Sequence, residues 1–248
     1  MGKVGHTFID LEEVDSTNLY AERMLQKGSV AEGTVILAKF QTAGMGQDDH
    51  QWESASGQNL TFSIVLHPRF LSPGRQFLLN KVISLGVLDF LADYVEGATI
   101  KWPNDILIGS KKIGGILIRI NVEGESLETA IVGIGLNVNQ TKFDPSLTQA
   151  ASLVQVLHQE LKLKEALILL CNAIDMRYSQ LKNNNNEQLK SDFHQKLLGY
   201  KLERKFVVDG QQIIGIIEGV DEFGRLLVIH PGEPVKAYAH KEIEYLLS

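Results

Sequence analysis

The apolar positions along the chain change period several times, and each change marks an element. Leu60, Phe62, Ile64 and Leu66 alternate with Thr61, Ser63 and Val65 up to His67-Pro68, a period of two that predicts a strand. Ser72-Pro73 opens a stretch in which Phe77, Leu78, Val82, Leu85, Leu88 and Leu91 recur at helical spacing, predicting a long helix capped at that pair. Upstream, residues 8–14 read as a short strand. Asp15-Ser16-Thr17-Asn18 offers capping oxygens to a helix from about Leu19 to Lys27, with Gly28 as its stop, and residues 34–40 are β-rich. Residues 113–122 and 127–138 flank Glu123-Gly124-Glu125-Ser126, the pattern of a hairpin.

Two or three further helices fill 151–198, where Asn183 to Asn186 is a helix-helix connection. Beyond Gly199 the texture changes to short strands at 206–208, 212–218, 226–229 and 237–239. Asp209-Gly210, Asp221 to Gly224 and Pro231-Gly232 separate them. Strands so spaced predict a small C-terminal β-barrel, and hence two domains, 1–198 and 199–248.

Composition narrows the function class. The 248 residues are 44% hydrophobic and 22% charged, ordinary for a globular protein able to bury a core without staples. A net charge of −6 argues against non-specific nucleic-acid binding, while leaving room for an anionic substrate held by a few placed lysines. Cys171 is the one cysteine, so neither an internal disulfide nor a cysteine-built zinc site is available; its apolar neighbours suggest an inert buried thiol. Residues 1–10 carry no long apolar stretch, and no run approaches the roughly 20 residues of a membrane span. A soluble, cytoplasmic protein with no membrane partner is expected.

Four segments are more polar or more glycine-rich than their positions require. Asp15-Ser16-Thr17-Asn18, taken alone, is a helix N-cap; its hydroxyls and amide could also bond a neutral polar ligand head. Gln41-Thr42-Ala43-Gly44-Met45-Gly46-Gln47 follows a strand, and its paired glycines allow close backbone approach to a ligand. Position 49 is Asp, so the dinucleotide-binding register is absent. Lys101-Trp102-Pro103-Asn104-Asp105 displays ammonium, amide and carboxylate around a rigid turn, with Lys111-Lys112-Ile113-Gly114-Gly115 just downstream. Gly133-Ile134-Gly135-Leu136-Asn137 ends a strand on an amide able to read a base edge.

In order and spacing these segments resemble the biotin–protein ligase family. Its pattern is an S-T-N helix start, a Q-x-A-G-x-G loop with a downstream Trp, then K-W-P-N-D, K-[hydrophobic]-x-G-I-L and G-x-G-x-N. Here these are Ser16-Thr17-Asn18, Gln41 to Gly46 with Trp52, Lys101 to Asp105, Lys112 to Leu117, and Gly133 to Asn137. Ala151-Ser152-Leu153 and Gly219-Val220-Asp221 also look like the family's, so the likeness runs from about residue 8 to 248.

The resemblance implies an α+β fold of the class II synthetase and biotin-ligase type: a mixed, mostly antiparallel sheet with helices on one side, then an SH3-like barrel. It implies ATP- and Mg²⁺-dependent activation of biotin to biotinyl-5′-AMP and transfer to a lysine of a biotin carboxyl carrier domain. Lys112 would be the catalytic cation. Ser16, Thr17, Asn18, Gln41, Gly44, Met45, Gly46, Gln47 and Gly115 would bind biotin; Trp52, Lys101, Asn104, Asp105, Lys112 and Asn137 would bind ATP or the adenylate. Asp105 would hold a lysine or a magnesium-bound water, and no metal-ligand set belongs to the protein itself.

The glycine loop departs from the family's arginine-rich form. Met45 replaces its first arginine, Gln47 is an accepted variant, and Asp48 and Asp49 place negative charge where the intermediate is anionic. A weaker grip on the adenylate is therefore expected. His50 reads as a solvated loop histidine. The ligase signature starts within twenty residues, so no N-terminal DNA-binding domain and no DNA partner are expected. The family pairs edge to edge in some members and not in others, which leaves a homodimer open. The alternatives are a lipoate ligase or octanoyltransferase of the same fold, or a decayed ligase that binds biotin without transferring it.

Overall fold

The computed structural model describes residues 4–47 and 50–246. Seven strands form one sheet in the order β1-β2-β3-β7-β6-β5-β4: β1 (Phe8–Val14), β2 (Val35–Gln41), β3 (Leu60–Leu66), β4 (Ala98–Lys101), β5 (Asp105–Ile108), β6 (Lys111–Glu123) and β7 (Ser126–Leu136). Only β1 and β2 run parallel; the other pairs are antiparallel. The expected hairpin is the β6–β7 pair, turning at Gly124, whose φ of 59° suits glycine.

Alternation along β3 and β7 decides which layer covers each face. Leu60, Phe62, Ile64 and Leu66, with Val132, Ile134 and Leu136, pack under α2 (Phe77–Ala92) and α4 (Leu163–Lys182) in the main core. α5 (Asn186–Lys196) buries Leu189 and Phe193 in the same core, and the short α3 (Leu153–Leu157) adds Leu153. Val65 and Ile131 point the other way and meet Ala21, Tyr20, Met24 and Leu25 of α1 (Thr17–Lys27). The expectation of helices on one side therefore describes α2, α4 and α5, whereas α1 lies on the opposite face. A helix is needed there because Ile36, Val65 and Ile131 would otherwise be bared to water.

Ser16 occupies the N-cap position of α1 without a side-chain cap bond, so its hydroxyl is not spent on the helix. Gly28 does end α1, but with φ 161° it is extended rather than left-handed. Ser72-Pro73 leads into a 3-10 turn at Pro73–Arg75, one residue before α2 begins.

The C-terminal strands β8 (Glu203–Val208), β9 (Gln211–Val220), β10 (Leu226–Ile229), β11 (Val235–Tyr238) and β12 (Glu244–Tyr245) make a separate antiparallel sheet ordered β11-β10-β9-β8-β12. It is tied to the first sheet at Trp102, which is buried and donates its indole N–H to the Gly224 carbonyl at 2.8 Å. No helix among the described residues is long and apolar enough to cross a membrane.

Candidate active site

The face of β6 and β7 opposite α2 carries glycine where the neighbouring strands carry side chains. Gly115 pairs with Gly135, and Leu117 with Gly133. A Cβ on Gly135 would lie 2.3 Å from the Trp52 ring, and one on Gly133 would lie 2.6 Å from Asn18 Oδ1. Glycine at these two places lets an indole and an amide rest directly on the sheet backbone.

One end of this floor is a set of neutral hydrogen-bonding groups from three elements. The Thr17 backbone N–H and hydroxyl both donate to Gln41 Oε1, at 2.8 and 3.1 Å. Ser63 lies 2.7 Å from the Thr17 hydroxyl and 2.6 Å from Asn18 Oδ1, while Asn18 Nδ2 donates to the Leu117 carbonyl at 3.3 Å. Asn18 is thus committed to holding α1 on the sheet. The Ser16 hydroxyl and the Gln41 amide nitrogen remain as polar groups on the cavity wall. Arg23 beside Asp15 forms a bidentate pair that pulls its carboxyl down to about 2, fixing the turn into α1 with a permanent charge.

Residues 44–47 and 50–52 arch over the floor. Trp52 N–H donates to the Gly44 carbonyl at 2.9 Å, Gly46 N–H to the His50 carbonyl at 2.7 Å, and Met45 bridges Gln51. A Cβ on Gly44 would sit 2.4 Å from the Trp52 carbonyl oxygen, so this glycine serves the arch by backbone approach and lies outside the cavity lining. Asp48 and Asp49 fall outside the described residues.

The other end is cationic. Lys112 Nζ lies 2.6 Å from Asp105 Oδ1 and 5.7 Å from the Trp52 ring centre; Lys101 Nζ lies 3.9 Å from Asp105 Oδ2. One carboxylate therefore stands between two ammonium groups and leaves this end with a net positive charge. Lys112 is pinned by its backbone, which exchanges hydrogen bonds with Gln149 and Ala151 at 2.7 and 2.9 Å. Asn104 donates through Nδ2 to the Ile116 carbonyl at 2.7 Å, so one of its N–H groups braces β6.

A cavity of about 760 Å³ joins these parts. Of the residues expected from sequence, Ser16, Thr17, Asn18, Gln41, Met45, Gly46, Gln47, Trp52, Lys101, Asn104, Asp105, Lys112 and Gly115 line it. Asn137 lines an adjoining recess of about 300 Å³ that shares Gln51, Trp52, Lys112 and Leu147 with the main cavity. Asn137 Nδ2 donates to the Ala151 carbonyl, while its Oδ1 and the Trp52 Nε1 are buried without a protein partner. An acceptor and a donor left bare beside a recess are groups for a ligand to satisfy.

Some lining residues carried no signal in the sequence. His240, Lys241, Ile243, Glu244 and Tyr245 close the cavity from the C-terminal sheet, where Trp102 both donates to the Gly224 carbonyl and meets the His240 ring edge-on at 5.9 Å. Among the described residues no three His, Cys, Asp or Glu side chains cluster as metal ligands.

Residues 11–137 match the model of the biotin/lipoate A/B protein ligase family. The chain is similar to the bifunctional ligase/repressor BirA of Bacillus spizizenii, with 30% identity over 253 residues that cover 97% of this chain and 74% of that protein. It is 26% identical to the biotin–[acetyl-CoA-carboxylase] ligase of Mycobacterium tuberculosis, over 90% of this chain and 83% of that one. Among solved structures, the biotin protein ligase from Aquifex aeolicus in complex with biotin and ATP superposes with a TM-score of 0.81 at 28% identity, covering 98% of this chain and all of the other.

Proposed function

The chain belongs to the biotin/lipoate A/B protein ligase family, and we propose that it activates biotin with ATP and transfers the biotinyl group to a lysine of a biotin carboxyl carrier domain. The observation that carries this reading is the cavity's polarity: neutral donors and acceptors at one end, two lysines about one carboxylate at the other. A cyclic urea with an acidic tail matches that gradient. The Ser16 hydroxyl and the Gln41 amide take the ureido ring, with Thr17 orienting Gln41. Asn18 supports them through the sheet, and Gly115 lets the ring lie close to β6.

The acidic tail then points towards Lys112. A biotin carboxylate oxygen attacks the α-phosphorus of ATP, and the bond from that phosphorus to the β-bridging oxygen breaks, releasing pyrophosphate. Two anions must meet, and Lys112 is placed to neutralise both, since its ammonium is held by Asp105 at the cationic end. In the second step the neutral amine of the carrier lysine attacks the acyl carbon and gives up a proton to water, and AMP leaves with both electrons of the acyl–oxygen bond. Lys112 stabilises the same phosphate as it departs.

Lys101 and Asn104 support the phosphates, Trp52 covers the adenylate, and the free Oδ1 of Asn137 accepts from the adenine amino group. Magnesium enters on the phosphates of ATP. Asp105, engaged with two lysines, is the carboxylate that could meet its water shell, the usual arrangement for a cation that keeps most of its waters. The arch residues Gly44, Met45, Gly46 and Gln47 close over biotin.

We read residues 1–198 as the catalytic domain and 199–248 as an SH3-like barrel, a reading supported by the separate five-stranded sheet. Biotin-dependent exchange of labelled pyrophosphate into ATP tests the first step. Exchange with biotin but not with lipoate or octanoate is expected; exchange with lipoate alone would overturn the assignment.

A further inference from the structure

The ligand face of β6 runs one step beyond the cavity. Gly115 and Leu117 line it, and Arg119, next on that face, pairs across the strands with Ile131 in the layer that packs on α1. The guanidinium is divided between two neighbours. Nη1 donates to Glu22 Oε2 on α1 at 2.9 Å, and Nη2 approaches the Met45 thioether sulfur at 3.5 Å. Met45 is both a cavity residue and a rung of the arch. One side chain therefore touches the floor, the helix that presents Ser16 and Thr17, and the arch that carries Gln47 and Trp52. Between Thr42 and Gln51 the arch has no lysine or arginine of its own, so Arg119 is the guanidinium brought to it from outside.

We propose that Arg119 is a positioning residue that fastens the glycine arch over the biotin end of the cavity through Met45, while Glu22 aims the guanidinium. The division of labour needs a planar fork with separate donors, which arginine has and lysine lacks. The thioether is a weak, polarisable acceptor, so the contact at 3.5 Å holds the arch by a light touch. Arg119 touches neither substrate nor a reacting atom; it acts on biotin retention by holding the arch.

This rests on the biotin reading above, and three variants separate the two. Arg119→Lys keeps the Glu22 ion pair and gives up the Met45 contact. Its unfolding temperature should match the wild type, while KM for biotin rises about three- to tenfold and preformed adenylate escapes faster by a similar factor, with kcat little changed. Glu22→Gln, which releases the guanidinium without altering a cavity residue, should show the same split. The Arg119→Lys, Glu22→Gln double variant should be no worse than either single one, because both act through the single Arg119–Met45 contact. Wild-type biotin KM in Arg119→Lys, or effects that multiply in the double variant, would overturn the inference alone. Absence of biotin-dependent exchange in the unmodified protein would overturn it together with the biotin reading.

Discussion

At the scale of single residues, the proposed chemistry turns on Lys112. Its ammonium is 2.6 Å from Asp105, and its backbone is clamped on both sides by the 149–151 segment, so the charge is delivered with little freedom. Lys112→Gln keeps length and polarity but removes the charge. Biotin-dependent pyrophosphate exchange should fall by about two to three orders of magnitude, with biotin binding largely kept; exchange within a few-fold of wild type would move the catalytic charge elsewhere. Lys112 was legible because a lysine beside Gly114-Gly115 follows Lys101 to Asp105, a run with no simple structural reason. Arg119 was not. It stands in a strand of ordinary alternating texture, and only the pairing of β6 with β7 brings it to Glu22 and Met45. The internal commitment of Asn18 was equally hidden, because its partners Ser63 and Leu117 are far away in sequence.

Elements set the spacing between those residues. The glycines of β6 and β7 were visible as a motif, but their purpose shows only in what rests on them. Gly135→Ala would thrust a methyl group to within 2.3 Å of where the Trp52 ring now lies, and the indole must leave the floor. Adenylate retention should drop at least about tenfold with the unfolding temperature nearly unchanged, read as the half-life of bound biotinyl-5′-AMP. Retention equal to wild type would mean that Trp52 does not cover the adenylate.

The junction of α2 and α5 with the C-terminal sheet holds a different device. Lys81 is buried, donates to the Val220 carbonyl at 3.2 Å and faces the rings of Phe77 and Phe193. Burial, with Lys190 nearby, pulls its ammonium down to about 8. The folded protein therefore holds fewer protons than the unfolded chain between about 8 and 10.5, so this group's contribution to stability rises across that window and is lost as pH falls through about 8. Lys81→Met should be more stable than wild type at pH 7, and its advantage should shrink by pH 10 in thermal melts. A gap independent of pH would show that Lys81 is not desolvated. His194 shifts in the same direction, through burial and then Lys81, so its own contribution fades as pH drops below about 6.5.

Across the whole molecule, period-two and helical spacings marked the longer strands and helices, but not the short strands β4, β5 and β12. The structure departs from that reading at α1, which covers the far face, and in the C-terminal residues 240–245, which reach back over the cavity. Both depend on contacts between distant parts of the chain, which periodicity does not encode. The two ends of the main sheet also differ. β4 is flanked by the 197–198 segment, whereas β1 ends the sheet with no further strand beside it among the described residues and bears exposed Asp10 and Glu12. Antiparallel self-pairing there would set acid against acid. Sedimentation at tens of micromolar should therefore give a single species near 27.6 kDa; a stable particle of twice that mass, lost when Asp10 and Glu12 are probed by substitution to Thr, would contradict it.

The central claim is that this cavity joins biotin to a carrier lysine at the expense of ATP. The direct test is the intact mass of an apo carrier domain incubated with the protein, Mg-ATP and an equal mixture of biotin, lipoate and octanoate. One biotinyl group added per carrier, and none without ATP, is the expected result. A lipoyl or octanoyl adduct, or an unmodified carrier beside biotin still held by the protein, would contradict the account.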